Sequence, residues 1–217
     1  MLCVTEEDRL IFEAMGGSRL LTVPLGMDLE ALQPDHQPVS PPTCLFVGSF
    51  HHRPNVLAAD LLISHIWPAV RKKRPDVQLI LAGRGSKEHL ASTSASAEGI
   101  SATGFVDDLT PLFRQCALFV APLPEGGGIK IKILEAMARG IPVITTPVGA
   151  EGITTESDNT MVITDAVEGF AEAVVKALDD PLTQGRAHRG RELMERKFSW
   201  KAIAGKLAEV YRVGNSR

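Results

Sequence analysis

The sequence predicts an α/β fold with a doubly wound parallel sheet and helices on both faces. Short apolar runs of strand length alternate with stretches of helical length, a pattern typical of parallel strands joined by crossover helices. The runs are apolar on both faces, as expected of strands that are covered on both sides. Ligands of such folds bind beside the carboxyl ends of the strands, so the loops that follow these runs should hold the functional residues.

Four apolar runs are the predicted strands, and each ends at a glycine, a proline or a threonine. They are Thr43–Val47 before Gly48, Val77–Ala82 before Gly83, Ala117–Ala121 before Pro122, and Pro142–Thr145 before Thr146. Four longer stretches are the predicted helices. They are Asn55–Lys73, Gly128–Arg139, Glu168–Leu178 and Trp200–Val213.

A proline-rich segment divides the chain. Residues 33–42 contain four prolines beside polar residues, which favours an extended linker over a regular element. The apolar residues of segment 1–32 are too few to form a core of their own, so this segment has the character of a remnant, which either packs against the main domain or is the end of a larger domain. Residues 43–197 then form the main domain, and residues 198–217 carry a final helix.

Length and charge exclude several classes of protein. A chain of 217 residues, 44% hydrophobic and 23% charged, has the composition of a globular protein and not of a disordered one. Its formal net charge of −3 lacks the positive field that nucleic-acid binding requires. No apolar run approaches the roughly 20 residues of a membrane span, and the first residues lack the features of a signal peptide. A cytoplasmic protein that binds no nucleic acid is therefore expected.

The cysteines and histidines predict neither a disulfide nor a metal site. Cys3, Cys44 and Cys116 are far apart and are expected to be buried, reduced thiols. The histidines lack the spacing of metal ligands. The basic run Arg71–Arg74 ends a predicted helix, where solvated side chains are the simpler interpretation and contact with a membrane surface is the alternative.

The stretch from Pro122 to Ile144 carries the most information about function. A strand ends, three glycines follow at 126–128, and a helix begins. Glycines allow a ligand to approach backbone amides, and the first turn of a helix offers unpaired donors, so the site suits phosphate. A flexible turn is the alternative. Lys130 and Lys132 are expected in the first turn, where cations are unfavourable unless an anion is near or both side chains point to solvent.

Glu135 lies further along the same predicted helix, four residues before Arg139. Taken alone, with Lys132 three residues before it and that arginine four after, it is a better candidate for a surface ion pair with either cation than for a ligand-binding group. His51 and His52 follow the Gly48 turn, where a solvated polar turn is again the simpler interpretation. The glycines, lysines and glutamate are therefore interpreted together.

These residues carry a resemblance to a known family. The stretch Glu125–Ile144 resembles the donor-sugar signature of the retaining, GT-B-fold group 1 glycosyltransferases, and Pro54-Asn55 with the glycine loop is most similar to a subgroup of exopolysaccharide-type assembly. Other segments resemble family segments in order: Val4–Asp8 and Val23–Asp28 the end of the N-terminal domain, Leu45–Ser49 and Leu81–Gly85 two strands and their turns, Gly104–Asp108 the loop beneath the base, and Ser199-Trp200 the tail. The resemblance implies a Rossmann-like, donor-binding C-terminal half, with segment 1–32 a remnant of the acceptor-binding half and the final helix returning towards it.

The resemblance also implies roles for individual residues. Glu135 matches the second acid of the family's paired-glutamate motif, which binds the ribose hydroxyls. Gly127 stands where the first acid belongs, with Glu125 two residues earlier, and the family's basic pair is replaced by Ser49 and Asn55. Candidate catalytic residues are Glu125 and three substitute cations that could stabilise diphosphate charge: Arg53, Lys130 and Lys132. The other candidate donor-binding residues are Gly48, Ser49, Arg84, Val106, Gly126, Gly127, Gly128 and Ile129.

The activity implied is transfer of a sugar from UDP-sugar or GDP-sugar to a hydroxyl acceptor on a glycan or lipid-linked glycan, with retention and without a metal cofactor. Two alternatives stay open: a nucleotide-sugar epimerase, and a non-catalytic module that binds a nucleotide sugar, which Gly127 and Ser49 favour. The chain is expected to be inactive in transfer by itself. A cytoplasmic location is expected, with peripheral contact at the inner membrane face as an option.

Overall fold

The computed structural model describes residues 1–93, 97–154, 156–165, 167 and 169–214. Its strands are β1 (Leu2–Cys3), β2 (Leu21–Thr22), β3 (Thr43–Val47), β4 (Gln78–Ala82), β5 (Ile100–Gly104), β6 (Leu118–Ala121), β7 (Val143–Thr145) and β8 (Val162–Ile163). The last six form one parallel sheet in the order β5-β4-β3-β6-β7-β8. The first two form a separate parallel pair. The predicted α/β fold class is therefore confirmed.

The α-helices occupy the connections between these strands and both ends of the chain. They are α1 (Glu6–Ala14), α2 (Arg53–Leu61), α3 (Trp67–Lys73), α4 (Ser86–Ser92), α5 (Thr110–Gln115), α6 (Ile131–Ala138), α7 (Pro147–Ala150), α8 (Phe170–Asp179), α9 (Leu182–Leu193) and α10 (Trp200–Gly214). π-Helical turns at Leu62–Ile66 and Met194–Phe198 continue α2 and α9, and Glu156–Asp158 is a 3₁₀ turn.

Helices cover the sheet on both faces. Cys44, Leu45 and Phe46 are consecutive in β3 and are all fully buried, and successive side chains of a strand point to opposite faces. α3 packs against α8, and α6 packs against α9. The core between these layers contains Phe113, Phe119 and Trp67, whose indole nitrogen donates to the carbonyl of Gly99 at 3.1 Å.

Two of the predicted helices differ from those observed. The stretch Asn55–Lys73 begins two residues earlier and passes through the π-helical turn. The helix expected from Gly128 to Arg139 begins only at Ile131, because Gly128 has a φ of +69° and Lys130 has the extended backbone of an N-cap. Of the predicted helix Glu168–Leu178, Glu168 lies outside the described residues, as do residues 215–217 of the final segment.

Several short elements were not predicted from the sequence. β5 is an edge strand of small and polar residues, and β8 has only two residues. Neither forms the long apolar run that identifies a strand covered on both faces. Five helices were also not predicted: α1, α4, α5, α7 and α9. The amphipathic pattern of α9 is weak, because it contains two glycines and five charged or histidine side chains.

The proline-rich segment runs along the main domain as backbone without helix or strand. The amides of Gln37 and Val39 donate to the carbonyls of Arg114 and Gln115 at 2.8 and 3.1 Å. The amide of Met27 donates to the carbonyl of Phe198 at 2.7 Å, which brings the start of α10 against the N-terminal segment. The division into a linker, a main domain and a remnant stays a prediction.

All three cysteines are buried and form no disulfide, as expected. Burial raises the pKa of the Cys44 thiol far above its ordinary value, and it raises the pKa of Cys116 to about 12. Both thiols are therefore protonated at neutral pH and are unreactive core groups.

Candidate functional site

The candidate ligand-binding crevice lies at the point in the main sheet where the strand order reverses. When the six strands of the main sheet are numbered along the chain, their order is 3-2-1-4-5-6. In a doubly wound sheet the ligand binds at the carboxyl ends of the two central strands on either side of this reversal. Here these strands are β3, which is followed by Gly48, and β6, which leads to the glycine loop 126–128.

Two tight turns form one wall of this crevice. The amide of Gly48 donates to the carbonyl of Ala82, and the amide of Phe50 donates to the carbonyl of Arg84, both at 2.9 Å. Gly83 has a φ of +126°, and a Cβ at this position would overlap with the carbonyl of Gly48. The turns after β3 and β4 therefore touch through backbone atoms, which only glycine permits.

The glycine loop forms the opposite wall and presents unused backbone donors. Gly126 and Gly128 have φ values of +129° and +69°, and a Cβ added at Gly127 or Gly128 would meet nothing within 4 Å. Among the described residues, the backbone amides of residues 126–132 donate to no acceptor. Free amides in a loop that is open around Gly127 and Gly128 suit an oxyanion ligand.

Lys130 stabilises this loop. Its ammonium group donates to the carbonyls of Gly128 and Gly126 at 2.6 and 3.3 Å and to Glu151 Oε2 at 3.0 Å, and its side chain is only 8% exposed. The sequence predicted a cation in the first turn of the helix, facing either an anionic ligand or solvent. Lys130 is instead the N-cap residue and is engaged by protein oxygens.

Lys132 lies in the first turn of α6 and points back towards β3. Its ammonium group donates to Asn55 Oδ1 and lies 4.7 Å from the centre of the Phe46 ring. Within the described part of the chain, no carboxylate lies within 4.0 Å of it. Desolvation, with a smaller contribution from the charge of Lys130, lowers the pKa of Lys132 to about 8.

Arg53 and Glu125 form an ion pair across the crevice. Arg53 Nη1 lies 2.8 Å from Glu125 Oε1, and the side chains are 75% and 39% exposed. The pair joins the start of α2 to the loop after β6. The structure therefore brings two candidate catalytic residues together, but each is the partner of the other. Ser49, His51 and His52 are exposed in the turn before Arg53.

Glu135 is half-buried on α6 and forms an ion pair with Arg139, one of the two cations at the spacing of a helical ion pair. Arg139 Nη2 lies 3.1 Å from Glu135 Oε1, and it also donates to Thr110 Oγ1 at 3.3 Å. The guanidinium of Arg139 lies 5.3 Å from the centre of the Phe113 ring. This pairing uses Oε1, while Oε2 accepts no hydrogen bond from the described residues. Half of the carboxylate is therefore available to a ligand.

A cation–aromatic pair lies at the end of the crevice beyond β4 and β5. The exposed guanidinium of Arg84 lies 5.6 Å from the centre of the Phe105 ring, which is 62% exposed. Val106 follows it in the loop that leads to α5. Sequence reasoning did not single out Phe105, Asn55 as a partner of Lys132, or Glu151 as a partner of Lys130. An aromatic residue in a loop was the one available signal, because the other two contacts join residues far apart in the chain.

Other parts of the structure do not contribute to this crevice. A cavity of about 930 Å³ lies between the N-terminal segment and α10, lined by Thr5, Lys197 and Ile203 among others, and none of the candidate site residues borders it. The described residues contain no group of three His, Cys, Asp or Glu side chains placed to hold a metal ion. None of the described helices has the length and apolar character needed to cross a bilayer. The expectation of a metal-free reaction stays a prediction.

Comparison with known proteins gives a consistent result. The family described as glycosyl transferases group 1 matches residues 41–180. A phosphatidyl-myo-inositol mannosyltransferase of Mycolicibacterium smegmatis is 28% identical over 90% of this chain and 52% of its own length. The lipopolysaccharide core biosynthesis mannosyltransferase LpsB of Rhizobium meliloti is 30% identical over 78% of this chain and 52% of its own.

A solved structure has the same fold. HepE of Anabaena, solved in complex with UDP, superposes with a TM-score of 0.77 at 16% identity, over 98% of this chain and 63% of that one. The chain spans about half the length of the curated relatives that it matches.

Proposed function

Since the chain belongs to the group 1 glycosyltransferases, we propose that it forms the donor-binding half of an enzyme that transfers a sugar from a nucleoside diphosphate to a hydroxyl group, with retention. The observation that supports this proposal is the arrangement in the crevice. The amides of residues 126–132 have no acceptor among the described residues, and Arg53 and Lys132 connect this loop to the turn after β3 and the start of α2, at the reversal point of a doubly wound sheet. Amide donors and cations are the groups that bind a diphosphate.

The crevice offers subsites for the three parts of a nucleotide sugar. The free oxygen of Glu135 accepts hydrogen bonds from the ribose hydroxyls. The Arg84–Phe105 pair and the backbone of Val106 contact the base. The backbone amides of the glycine loop and of Ile129 donate hydrogen bonds to the diphosphate and to the sugar. UDP and GDP are both candidates, and the presence of UDP in the HepE crystal supports the first.

Transfer exchanges one bond at the anomeric carbon for another. The bond from this carbon to the diphosphate oxygen breaks, a bond to the acceptor oxygen forms, and the proton of the acceptor hydroxyl passes to the departing diphosphate. Negative charge develops on the leaving diphosphate, where fixed amides and cations stabilise it without reorganisation. The residues of this chain therefore act on the leaving group.

The relatives support a proposal for the acceptor and for the biosynthetic role. The names of the two mannosyltransferases refer to phosphatidyl-myo-inositol and to the biosynthesis of the lipopolysaccharide core, which supports a glycan or lipid-linked glycan as acceptor and a role in polysaccharide or glycoconjugate synthesis. We place the enzyme on the cytoplasmic side, in peripheral contact with the membrane. The acceptor is bound by a second half, so the chain binds the donor by itself but does not transfer the sugar.

A non-catalytic nucleotide-sugar-binding module is the second candidate. Gly127 occupies the position of the first acid of the family motif, and Glu125 is held by Arg53. If a protein containing both halves binds the donor but converts no acceptor in product analysis, this second function is the correct one.

Calorimetric titration of UDP and GDP tests donor binding. We expect Glu135→Ala to weaken binding by about tenfold, because charge-assisted hydrogen bonds contribute about 1.5–3 kcal/mol. Glu172→Ala, which removes an exposed carboxylate from α8, is the matched control and should bind like the wild type. If the wild type binds neither nucleotide, the proposal is wrong, and equal affinity of Glu135→Ala and the wild type removes Glu135 from the site.

A further inference from the structure

We propose that Asn55 is a positioning residue that holds the ammonium group of Lys132 in the crevice as an unneutralised cation, ready to receive the diphosphate of the donor. This inference rests on the proposed function and identifies which cation and which partner act there. It depends on three features of the structure: the pairing of the cations, the neutral charge of the Asn55 amide, and the contacts that fix this amide.

The three candidate cations differ in what neutralises them. The charge of Lys130 is balanced by Glu151, and that of Arg53 by Glu125. Lys132 has only an amide oxygen and the face of Phe46 as partners in the described part of the chain. A cation that is largely removed from water without a counter-ion is unfavourable, so its retention indicates that an anion completes the site.

Asn55 is fixed by contacts on both sides of its amide. It is buried, Nδ2 donates to the carbonyl of Ser49 at 2.9 Å, and Oδ1 accepts from Lys132. A Cβ on Gly48 would lie 2.7 Å from Asn55 Cγ, so the amide lies directly against the glycine turn. Asn55 thus connects the turn after β3 to α6 and determines where the ammonium group lies.

The neutral charge of this amide is essential to the inference. An amide oxygen accepts a hydrogen bond from Lys132 without cancelling its charge, whereas a carboxylate in the same place would neutralise the ammonium and repel a phosphate. The sequence analysis treated Asn55 as the loss of a basic residue. In the structure, Asn55 holds the ammonium of a lysine that reaches the same turn from α6.

The titratable groups on the strand, the turn and the helices that Lys132 and Asn55 contact are paired, neutral or exposed, and the exposed ones are His51 and His52 in the turn after β3. On α2, Arg53 is paired with Glu125 and Asp60 with His89; β3 contributes only Cys44, whose raised pKa keeps it neutral. On the loop and helix of Lys132 itself, Lys130 is paired with Glu151, and Glu135 with Arg139. Lys130 opposes protonation of Lys132, while a bound diphosphate favours it.

This balance predicts the direction of a pH effect. The pKa of free Lys132 is lowered to about 8, and a bound diphosphate raises it. The contribution of the Lys132 charge to diphosphate affinity is therefore at its full value well below pH 8, and it falls as the pH rises through 8 towards the pKa of the bound state. We expect a fall of up to about tenfold between pH 7 and 9.

The test compares UDP and GDP with uridine and guanosine in the intact chain, because the nucleosides carry the same bases without phosphate. Lys132→Met keeps the side-chain stem over Phe46. It should remove most of the difference in affinity between diphosphate and nucleoside, and it should abolish the fall in diphosphate affinity above pH 8. Asn55→Asp should weaken the binding of the diphosphates by at least tenfold and leave the affinity for the nucleosides unchanged. It should also move the fall in diphosphate affinity to above pH 9. Lys72→Met, at an exposed position on α3, is the control.

A second measurement does not depend on nucleotide binding. The pKa of Lys132 is read by NMR of ¹³C-methylated lysines, with and without inorganic pyrophosphate. It should rise on addition of pyrophosphate and in Asn55→Asp. The inference is wrong if the Lys132 resonance responds neither to pyrophosphate nor to Asn55→Asp. It is also wrong if both variants keep the wild-type preference for diphosphates over nucleosides and the wild-type pH profile. Either result leaves donor binding intact. Absence of nucleotide binding, with the pyrophosphate response present, counts against the proposed function alone.

Discussion

Burial decides the behaviour of individual ionisable residues in this chain. Lys130 and Lys132 are two positions apart, yet one is engaged by a carboxylate and two carbonyls while the other has only an amide oxygen as its polar partner. The difference arises because Lys130 precedes the helix and Lys132 lies inside its first turn. A helix boundary placed three residues too early, as in the sequence prediction, hides this difference.

His36 allows a prediction about stability at the residue scale. Its Nε2 donates to the carbonyl of Cys116 at 2.5 Å, and burial lowers its pKa below 6.5. Below pH 6.5 the unfolded chain therefore binds more protons at this residue than the folded chain, and the free energy of unfolding falls as the pH decreases. Above pH 6.5 the contribution is constant.

Urea unfolding between pH 5 and 7.5 checks this expectation. His36→Gln keeps a donor for the carbonyl but does not titrate, so it should reduce the slope of stability against pH. His188→Gln, at an exposed position on α9, is the control. An unchanged slope in His36→Gln would show that this histidine does not contribute.

At the scale of elements, the crevice depends on backbone contacts between turns. The turns after β3 and β4 touch at Gly48 and Gly83, while the loop after β6 remains open around Gly127. All three positions are glycines in the sequence, and only the packing of neighbouring strands distinguishes a glycine that is sterically required from one that leaves room for a ligand.

Two glycine substitutions test this distinction. Gly83→Ala should lower the free energy of unfolding by about 3 kcal/mol or more, because it combines a positive φ with overlap on the backbone of Gly48. Gly127→Ala has an ordinary φ and open space around the new methyl group, so its stability should change by less than about 0.5 kcal/mol. Denaturant unfolding of both variants gives the comparison, and equal effects would contradict the proposed contact between the turns.

At the scale of the whole molecule, the main sheet and the N-terminal segment differ in how much they bury. The central strand β3 has three fully buried residues, whereas α1 has none, and Leu10 and Ile11 on α1 and Met15 directly after it are more than half exposed. Cys3 and Thr5 are buried in this segment, and the Thr5 methyl group lies against Gly152 of the main domain. Its stability therefore depends on few apolar contacts.

Hydrogen exchange should reveal this difference directly. We expect the amides of α1 to exchange through local opening well before those of β3, β4 and β6, which should exchange only on global unfolding. Mass spectrometry of peptides covering residues 6–14 and 43–47 provides the measurement. Equal protection of the two peptides would mean that the N-terminal segment unfolds together with the main sheet.

The sequence by itself determined the fold class, the four inner strands, the family and the glycine loop, because each of these depends on local pattern: apolar runs, strand-ending residues and motif spacing. The short edge strands, the start of α6 and the partners of the three crevice cations were decided only by the tertiary structure. Asn55 and Lys132 are far apart in the chain, as are Lys130 and Glu151. The charge that a ligand meets depends on which of these groups neutralise one another, and that is settled when the strands bring distant turns together.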